Sequence, residues 1–374
     1  MNDTKPSADV PSASSRLLSL DALRGFYMFW IIGAEDIVHA LRKVSRRGPV
    51  DFLSNQLQHK AWEGLAFYDL IFPLFIYIVG VSLVFSLSRS LRAAGRAATV
   101  RRILRRSALL FLIGILYYGG LADGLDKIRL MGVLQRIALC YLCAALIFCV
   151  AKLRAMMAVC LALLIGYWML MTFVPVPGHG AGNFAEGANL ANYVDSRYLP
   201  FRKWDGDHDP EGLLSTLPAV ATCLLGVFSG LFLVNTRVPD RKKVLYLVAG
   251  GIAGIVVGHL WGLQFPVIKK IWTSSYVLVA GGYSCLFLAC FYQVIEVWQV
   301  RRWAAPFVWI GMNPITIYLA QNVVDFRNIA ERMAGGPVKG LFGSFGELLI
   351  SSLVLGMSFL LVRFLYQRKI FLRL

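Results

Sequence analysis

Runs of about twenty apolar residues recur along almost the whole chain, and no other feature constrains the fold as strongly. The stretch "LIFPLFIYIVGVSLVFSL", residues 70–87, carries no charge at all. As a helix it crosses a hydrocarbon core about 30 Å thick. Charged residues make up only 16% of the chain, where a soluble domain carries about 25%. The pattern predicts an all-α fold, a polytopic integral membrane helical bundle with about ten transmembrane helices. The spans fall at 20–37, 67–88, 104–120, 132–151, 156–174, 213–234, 244–262, 273–297, 304–323 and 343–366. An even number puts both termini on one side.

The connecting loops alternate in character. One set comprises the N-terminal tail, "RSLRAAGRAATVRRILRR", "KLR", "NTRVPDRKK", "VRR" and the C-terminal end, and it holds more than half of the 38 Lys and Arg. The other set is longer, at 38–66 and 175–212, and contains most of the acids. Short basic loops stay in the cytoplasm, so both termini are expected to be cytoplasmic. The net charge of +17 then reads as a topology signal, with contact to anionic membrane lipid or an anionic cytosolic ligand as secondary readings, and no nucleic-acid partner is expected. Residues 1–15, rich in Ser and Pro, read as a disordered cytoplasmic tail and do not follow the pattern of a cleaved signal. Residues 16–374 read as a single transmembrane domain.

Titratable residues inside such a chain need a reason, because an unpartnered charge at a bilayer boundary is costly. The block "HKAWEGLAFYDLIFPLFIYIVG" puts His59, Trp62, Glu63 and Asp69 at the outer mouth of the second span. If "HKAWEG" is helical, His59, Trp62 and Glu63 share one face. A His can take and return a proton near neutrality, a carboxylate can fix its tautomer, and a Trp offers a flat wall for a sugar ring. The competing reading is an ordinary interfacial anchor.

At the far end of the first span, "SLDALRGF" places Asp21 and Arg24 on one helical face. They form either a structural ion pair or a cytosolic anion site. Gln135 and Arg136 enter the span from 132, where a lipid-facing Arg is not expected. Asn313-Pro314 in "GMNPITIY" predicts a broken helix whose freed backbone groups line a cavity or are buried in protein. The spacings Gly226/Gly230, Gly250/Gly254 and Gly254/Gly258 predict close helix packing. All seven cysteines lie in apolar segments. The pair Cys140 and Cys143 lacks the further ligands of a metal site, and no metal is expected.

Taken in order, "SLDALRGF", "HKAWEGLAFYDLIFPLFIYIVGVS", "IRLMGVLQRIALCY", "DPEGLLSTLPA", "KKIWTSSYVL" and "GMNPITIY" resemble the lysosomal heparan-α-glucosaminide N-acetyltransferase family and its bacterial relatives, over about residues 16–320. The resemblance implies a transmembrane acetyltransferase: acetyl-CoA is the cytosolic co-substrate and a glucosamine-type sugar on the outer face is the acceptor. It carries the catalytic His onto His59, in an H-x-x-W-x-G block, and an acid onto Asp69. An ungapped count puts Glu35 where the lysosomal enzyme has a catalytic Asn; a carboxylate there accepts a proton or orients His59, which an amide cannot do in the same way.

The same reading gives the other positions their expected roles. Trp62, Glu63, Gln135, Arg136, Asn313 and Trp272 are expected to bind substrate, with Gln135, Arg136 or Asn313 facing a developing oxyanion. Arg24, Arg101, Arg102 and Arg105, with Arg106, are expected to meet the CoA phosphates. The chain is expected to be the membrane catalytic unit alone, in a bacterial inner membrane, with a homodimer left open. Two alternatives stay beside this reading: O-acetylation of a periplasmic or cell-wall glycan, and a non-enzymatic sugar or solute transporter.

Overall fold

The computed structural model describes residues 17–45, 47–120 and 124–372; the tail expected to be disordered, 1–15, lies outside them. The elements follow directly from the apolar runs. The first is α1 (Leu18–Phe29), continued through a π-helical turn (Trp30–Ala34) into α2 (Glu35–Val44). A short helix α3 (Gly48–Gln56) and a 3₁₀ turn (Phe67–Leu70) lead into the 47-residue α4 (Ile71–Tyr117). Then come α5 (Val133–Val150), α6 (Leu153–Phe173), α7 (Leu190–Tyr198), α8 (Thr216–Leu233), α9 (Asp240–Gly262) and α10 (Ser274–Tyr292). The chain closes with α11 (Ala305–Met312), α12 (Pro314–Val324), α13 (Phe326–Ala334), α14 (Pro337–Leu341) and α15 (Gly346–Gln367). No β-sheet forms among the described residues; the extended backbone makes only isolated bridges.

This is a polytopic helical membrane protein. Seven helices of the described residues are long and apolar enough to cross a membrane. The longest holds two of the expected spans, which part at Gly95 (φ 76°, ψ 178°), a backbone conformation open essentially to glycine alone. The first and ninth expected spans are helical but interrupted. One breaks at Gly33 (φ 131°) in the π turn, and the other at Asn313 (φ −128°, ψ 41°), where Pro314 removes a backbone donor. Leu17 and Leu372, the first and last described residues, both line one cavity.

Small residues set the closest helix approaches. A Cβ on Gly25 would stand 1.7 Å from the Phe307 carbonyl oxygen, and one on Gly311 1.8 Å from that of Asp21, so α1 and α11 touch backbone to backbone. Gly226 and Gly230 pack onto α4 as their spacing predicts, and Gly254 and Gly258 onto α10. The pair Gly250/Gly254 does not hold as read: Gly250 faces open space, and Gly251 is the residue against α10. With three small residues falling on one stripe, a shift of one position was invisible in the spacing. The main apolar core lies among α4, α5, α8 and α10. A second core joins α1, α4 and α10, and a third joins α1 to α11, α13 and α15.

One local expectation fails. Residues 59–66 are not helical but form an irregular loop pinned to the 266–268 segment, with the Gly64 N–H donating to the Val267 carbonyl at 2.9 Å. His59, Trp62 and Glu63 therefore do not share a helical face. Gly64 sits in this loop at φ 109°, which a helix would not accommodate.

Candidate active site

The loop brings His59 back over the turn that starts α4, and Asp69 on that turn holds it. Asp69 is fully buried. One carboxylate oxygen accepts the backbone N–H groups of Lys60 (3.2 Å) and Ala66 (3.0 Å). The other lies 2.8 Å from His59 Nδ1 and 3.3 Å from Lys269 Nζ. Tyr276, itself buried, donates its hydroxyl to the Asp69 carbonyl at 2.7 Å. The carboxylate is thus fixed from several sides and can only present its remaining oxygen to His59.

The Lys269 ammonium is also 2.8 Å from His59 Nδ1 and 3.3 Å from Nε2. Nδ1 cannot donate to Asp69 and accept from Lys269 at once. The carboxylate takes precedence, because it is buried and can only accept, so Nδ1–H donates to Asp69 and Lys269 donates to the same Asp69 oxygen. The Nε2 lone pair is then left on the more exposed side of the ring, within reach of the ammonium. Burial lowers the Lys269 pKa and the Asp69 charge pulls against that shift, so this ammonium gives up its proton more readily than a surface lysine.

Glu35, placed at the start of α2 by the Gly33 break, has its carboxylate beside the Tyr68 hydroxyl. The Tyr68 ring packs against His59 with centroids 4.8 Å apart. Glu35 therefore approaches His59 through Tyr68.

Both His59 and Tyr68 line a cavity of about 960 Å³. It follows the first half of α4 to Arg89 and includes Arg102, Arg106 and Arg24. From Tyr68 to Arg89 a helix rises about 30 Å, the thickness of a bilayer's hydrocarbon core. Arg24 hydrogen-bonds Ser82 (2.8 Å) and the Gly311 carbonyl (3.2 Å) beside Asp21. Arg106 lies over the Tyr141 ring at 4.7 Å. Arg101 and Arg105 are exposed and do not line the cavity, whereas Arg89, unmarked in the sequence, does. Asn313, 2% exposed, also lines it, and neither atom of its amide has a hydrogen-bond partner among the described residues. The Thr316 hydroxyl beside it is likewise unpartnered. Arg106 Nε, also in the lining, is the further buried side-chain atom without a partner there among the described residues.

The other sequence-marked residues lie elsewhere. Trp62 donates its indole N–H to the Phe184 carbonyl (2.9 Å) in a separate apolar cluster, and Glu63 is exposed, its backbone bridged to Ile268. Gln135, Arg136 and Trp272 are sealed in the wall outside the cavity lining. Gln135 donates to the Arg129 carbonyl (3.2 Å), and Arg136 bonds Ser215 and Gly212 and lies 5.0 Å over Trp272. Trp272 donates to Thr222 at 3.1 Å. Next to them Arg129 makes a buried bidentate pair with Asp209 (2.9 and 2.7 Å) and a third contact with Glu211 (2.6 Å). Tyr68 and Lys269 were not singled out in the sequence. Tyr68 adjoins Asp69, and Lys269 opens the block "KKIWTSSYVL", but its position beside His59 depends on a contact across 210 residues.

Residues 16–251 match the catalytic-domain family described as "Heparan-alpha-glucosaminide N-acetyltransferase, catalytic". The chain belongs to this family. Similar proteins include the heparan-alpha-glucosaminide N-acetyltransferase of Homo sapiens, 29% identical over 325 residues, which cover 72% of this chain and 49% of the relative. The Mus musculus protein of the same name is 26% identical over 326 residues, with the same two shares. The chain spans about half the length of these curated relatives. The part that matches the acetyltransferase family model contains Glu35, His59, Tyr68, Asp69 and the arginines lining the cavity, while Lys269 and Asn313 lie beyond it.

Proposed function

We propose that this protein transfers an acetyl group from acetyl-CoA, through the cavity, to the amine of a glucosamine-type sugar arriving at His59. The single observation that carries this reading is the cavity itself, which joins a guanidinium-rich end to the His59–Asp69 pair. A donor with several phosphates suits the arginine end, and the volume suits a ligand of that size. The unpartnered Asn313 amide and Thr316 hydroxyl suit a donor arm that carries amides. The basic loops favour a cytoplasmic position for the arginine end, which puts His59 at the outer face.

In this mechanism His59 Nε2 takes the proton from the acceptor amine as the nitrogen attacks the thioester carbonyl. The proton leaves on an imidazolium that Asp69 stabilises through Nδ1–H, without itself becoming protonated. The Lys269 ammonium is the closest cation to the reacting face and stabilises the developing oxyanion. Collapse of the tetrahedral intermediate breaks the C–S bond, and the CoA thiolate takes the proton back from His59. Glu35 acts on the same ring through Tyr68 and limits its rotation.

The test is thiol release from acetyl-CoA by the purified protein with glucosamine, read together with mass spectrometry of the sugar. Release with formation of the N-acetyl product in wild type, lost in a folded His59→Ala variant, is expected. Release with acetyl on a hydroxyl would replace the acceptor class, and solute movement without thiol release would replace the enzyme with a transporter.

A further inference from the structure

A second cluster of titratable side chains lies on the outer loops, apart from the cavity. Glu186 and Asp205 each place one carboxylate oxygen 3.7 Å from His208 Nε2, and the three ligand atoms all lie within 4.8 Å of one another. The His208 side chain is 5% exposed and its Nε2 has no hydrogen-bond partner among the described residues. Its other nitrogen, Nδ1, is 2.6 Å from the Asp207 carboxylate.

That contact fixes the tautomer. Nδ1–H donates to Asp207, so in the neutral imidazole Nε2 carries the lone pair, which faces two carboxylate oxygens. Three electron-rich atoms turned toward one point are unfavourable unless a cation sits among them. A separation of 3.7 Å is too long for a hydrogen bond. It is close to the edge of a tetrahedron around zinc, about 3.4 Å for ligand bonds near 2.1 Å. A carboxylate behind the distal nitrogen is the usual support for a ligating imidazole.

Lys270 supplies part of the needed charge. Its ammonium is 2.7 Å from the Glu186 oxygen and 2.9 Å from that of Asp205, and leaves Nε2 unpartnered. We propose that Glu186, Asp205 and His208 form a binding site for a divalent cation of the zinc class, which displaces the Lys270 ammonium when it binds. One imidazole with two carboxylates suits a borderline transition cation better than magnesium or calcium, which prefer oxygen throughout. Glu186 is half exposed, leaving a way in for the ion. Binding ties the 183–208 loop to itself and releases Lys270, the neighbour of the Lys269 that touches His59. The spacing of 186, 205 and 208 follows no metal motif, so the sequence carried no sign of it.

The experiment is calorimetric titration of the chelator-treated full chain in detergent with Zn²⁺. One saturable equivalent is expected in wild type. His208→Gln and Asp205→Asn should weaken it at least tenfold, and Asp207→Asn by about ten- to a hundredfold through the imidazole's orientation. Lys270→Met should bind more tightly than wild type, because its competing ammonium is gone; misfolding cannot produce that gain. The proposal is overturned by the lack of a saturable equivalent in wild type, which would leave Lys270 as the resident cation. It is equally overturned if the affinity is unchanged in folded His208→Gln or in Lys270→Met, either of which would move the ion elsewhere.

Discussion

Replacing Asp69 by Asn tests the arrangement around His59 most sharply. The carboxylate serves four donors: two backbone N–H groups on one oxygen, and His59 and Lys269 on the other. An amide has only one oxygen. If it keeps the backbone pair, its NH₂ turns toward His59, which must then accept at Nδ1 and carry its hydrogen on Nε2, the wrong tautomer for a base. If it turns the other way, two backbone donors beside a buried group lose their acceptor. Losing a hydrogen bond to a charged group is worth about 1.5–3 kcal/mol, or about ten- to a hundred-and-fiftyfold in rate. A full tautomer switch in a comparable acid–His–nucleophile arrangement costs about 10⁴. The expected outcome is a fall in kcat for thiol release between those bounds, about 10–10⁴-fold, with the KM for acetyl-CoA nearly unchanged, in protein that still elutes as folded. Activity above half of wild type would refute the assignment of Asp69 as the group that orients the base.

Other variants probe other parts of the molecule. Neutralising Arg102 and Arg106 together should raise the KM for acetyl-CoA severalfold with kcat little changed, and added salt should shrink the difference, since phosphate contacts are screened. Gly311→Ala places a methyl 1.8 Å from the Asp21 carbonyl oxygen; α1 and α11 must separate, and thermal melting should drop clearly or the protein fail to accumulate. Arg129→Ala removes the bidentate partner of buried Asp209 and one of the two guanidinium groups that act on Glu211, which should cost about 3–5 kcal/mol in a denaturation assay. Burial raises the Asp195 pKa to about 6, so its neutral form is favoured in the fold. That contribution is full below the ordinary carboxylate range and is lost as pH rises through about 6. Melting temperature should therefore rise on acidifying from pH 7 toward 5, with a flatter profile in Asp195→Asn.

The helices were legible because apolar runs of membrane length leave the backbone few alternatives. The break at Asn313-Pro314 was legible for a similar reason, since Pro314 removes a donor. The His59–Asp69 pairing was visible as two titratable residues ten apart at a span's mouth, but not its geometry. A helical spacing suggested Glu63 as the partner, and the loop at Gly64 gives that place to Asp69. Lys269 could not be read as a neighbour of His59, because local pattern says nothing of which loops meet at a membrane face. The same limit applies to Gln135, Arg136 and Trp272. Polar residues near a membrane boundary suggest a cavity wall, yet these three are buried outside the lining and bond within the protein, with Gln135 Oε1 and Arg136 Nε and Nη1 left unpartnered among the described residues. Arg102 and Arg106 line the cavity while Arg101 and Arg105, each one residue earlier on the same helix, do not, a difference of helix face that a run of arginines does not reveal.

The central claim is that the donor and acceptor meet across the membrane through one cavity. The direct measurement uses proteoliposomes with glucosamine sealed inside and acetyl-CoA added outside, in vesicles where protease accessibility of the C-terminal end identifies the orientation. The account predicts N-acetylglucosamine in the lumen when the arginine end faces out, with CoA thiol appearing outside and none trapped within. Product that forms only when donor and acceptor share a compartment would contradict transfer through the cavity.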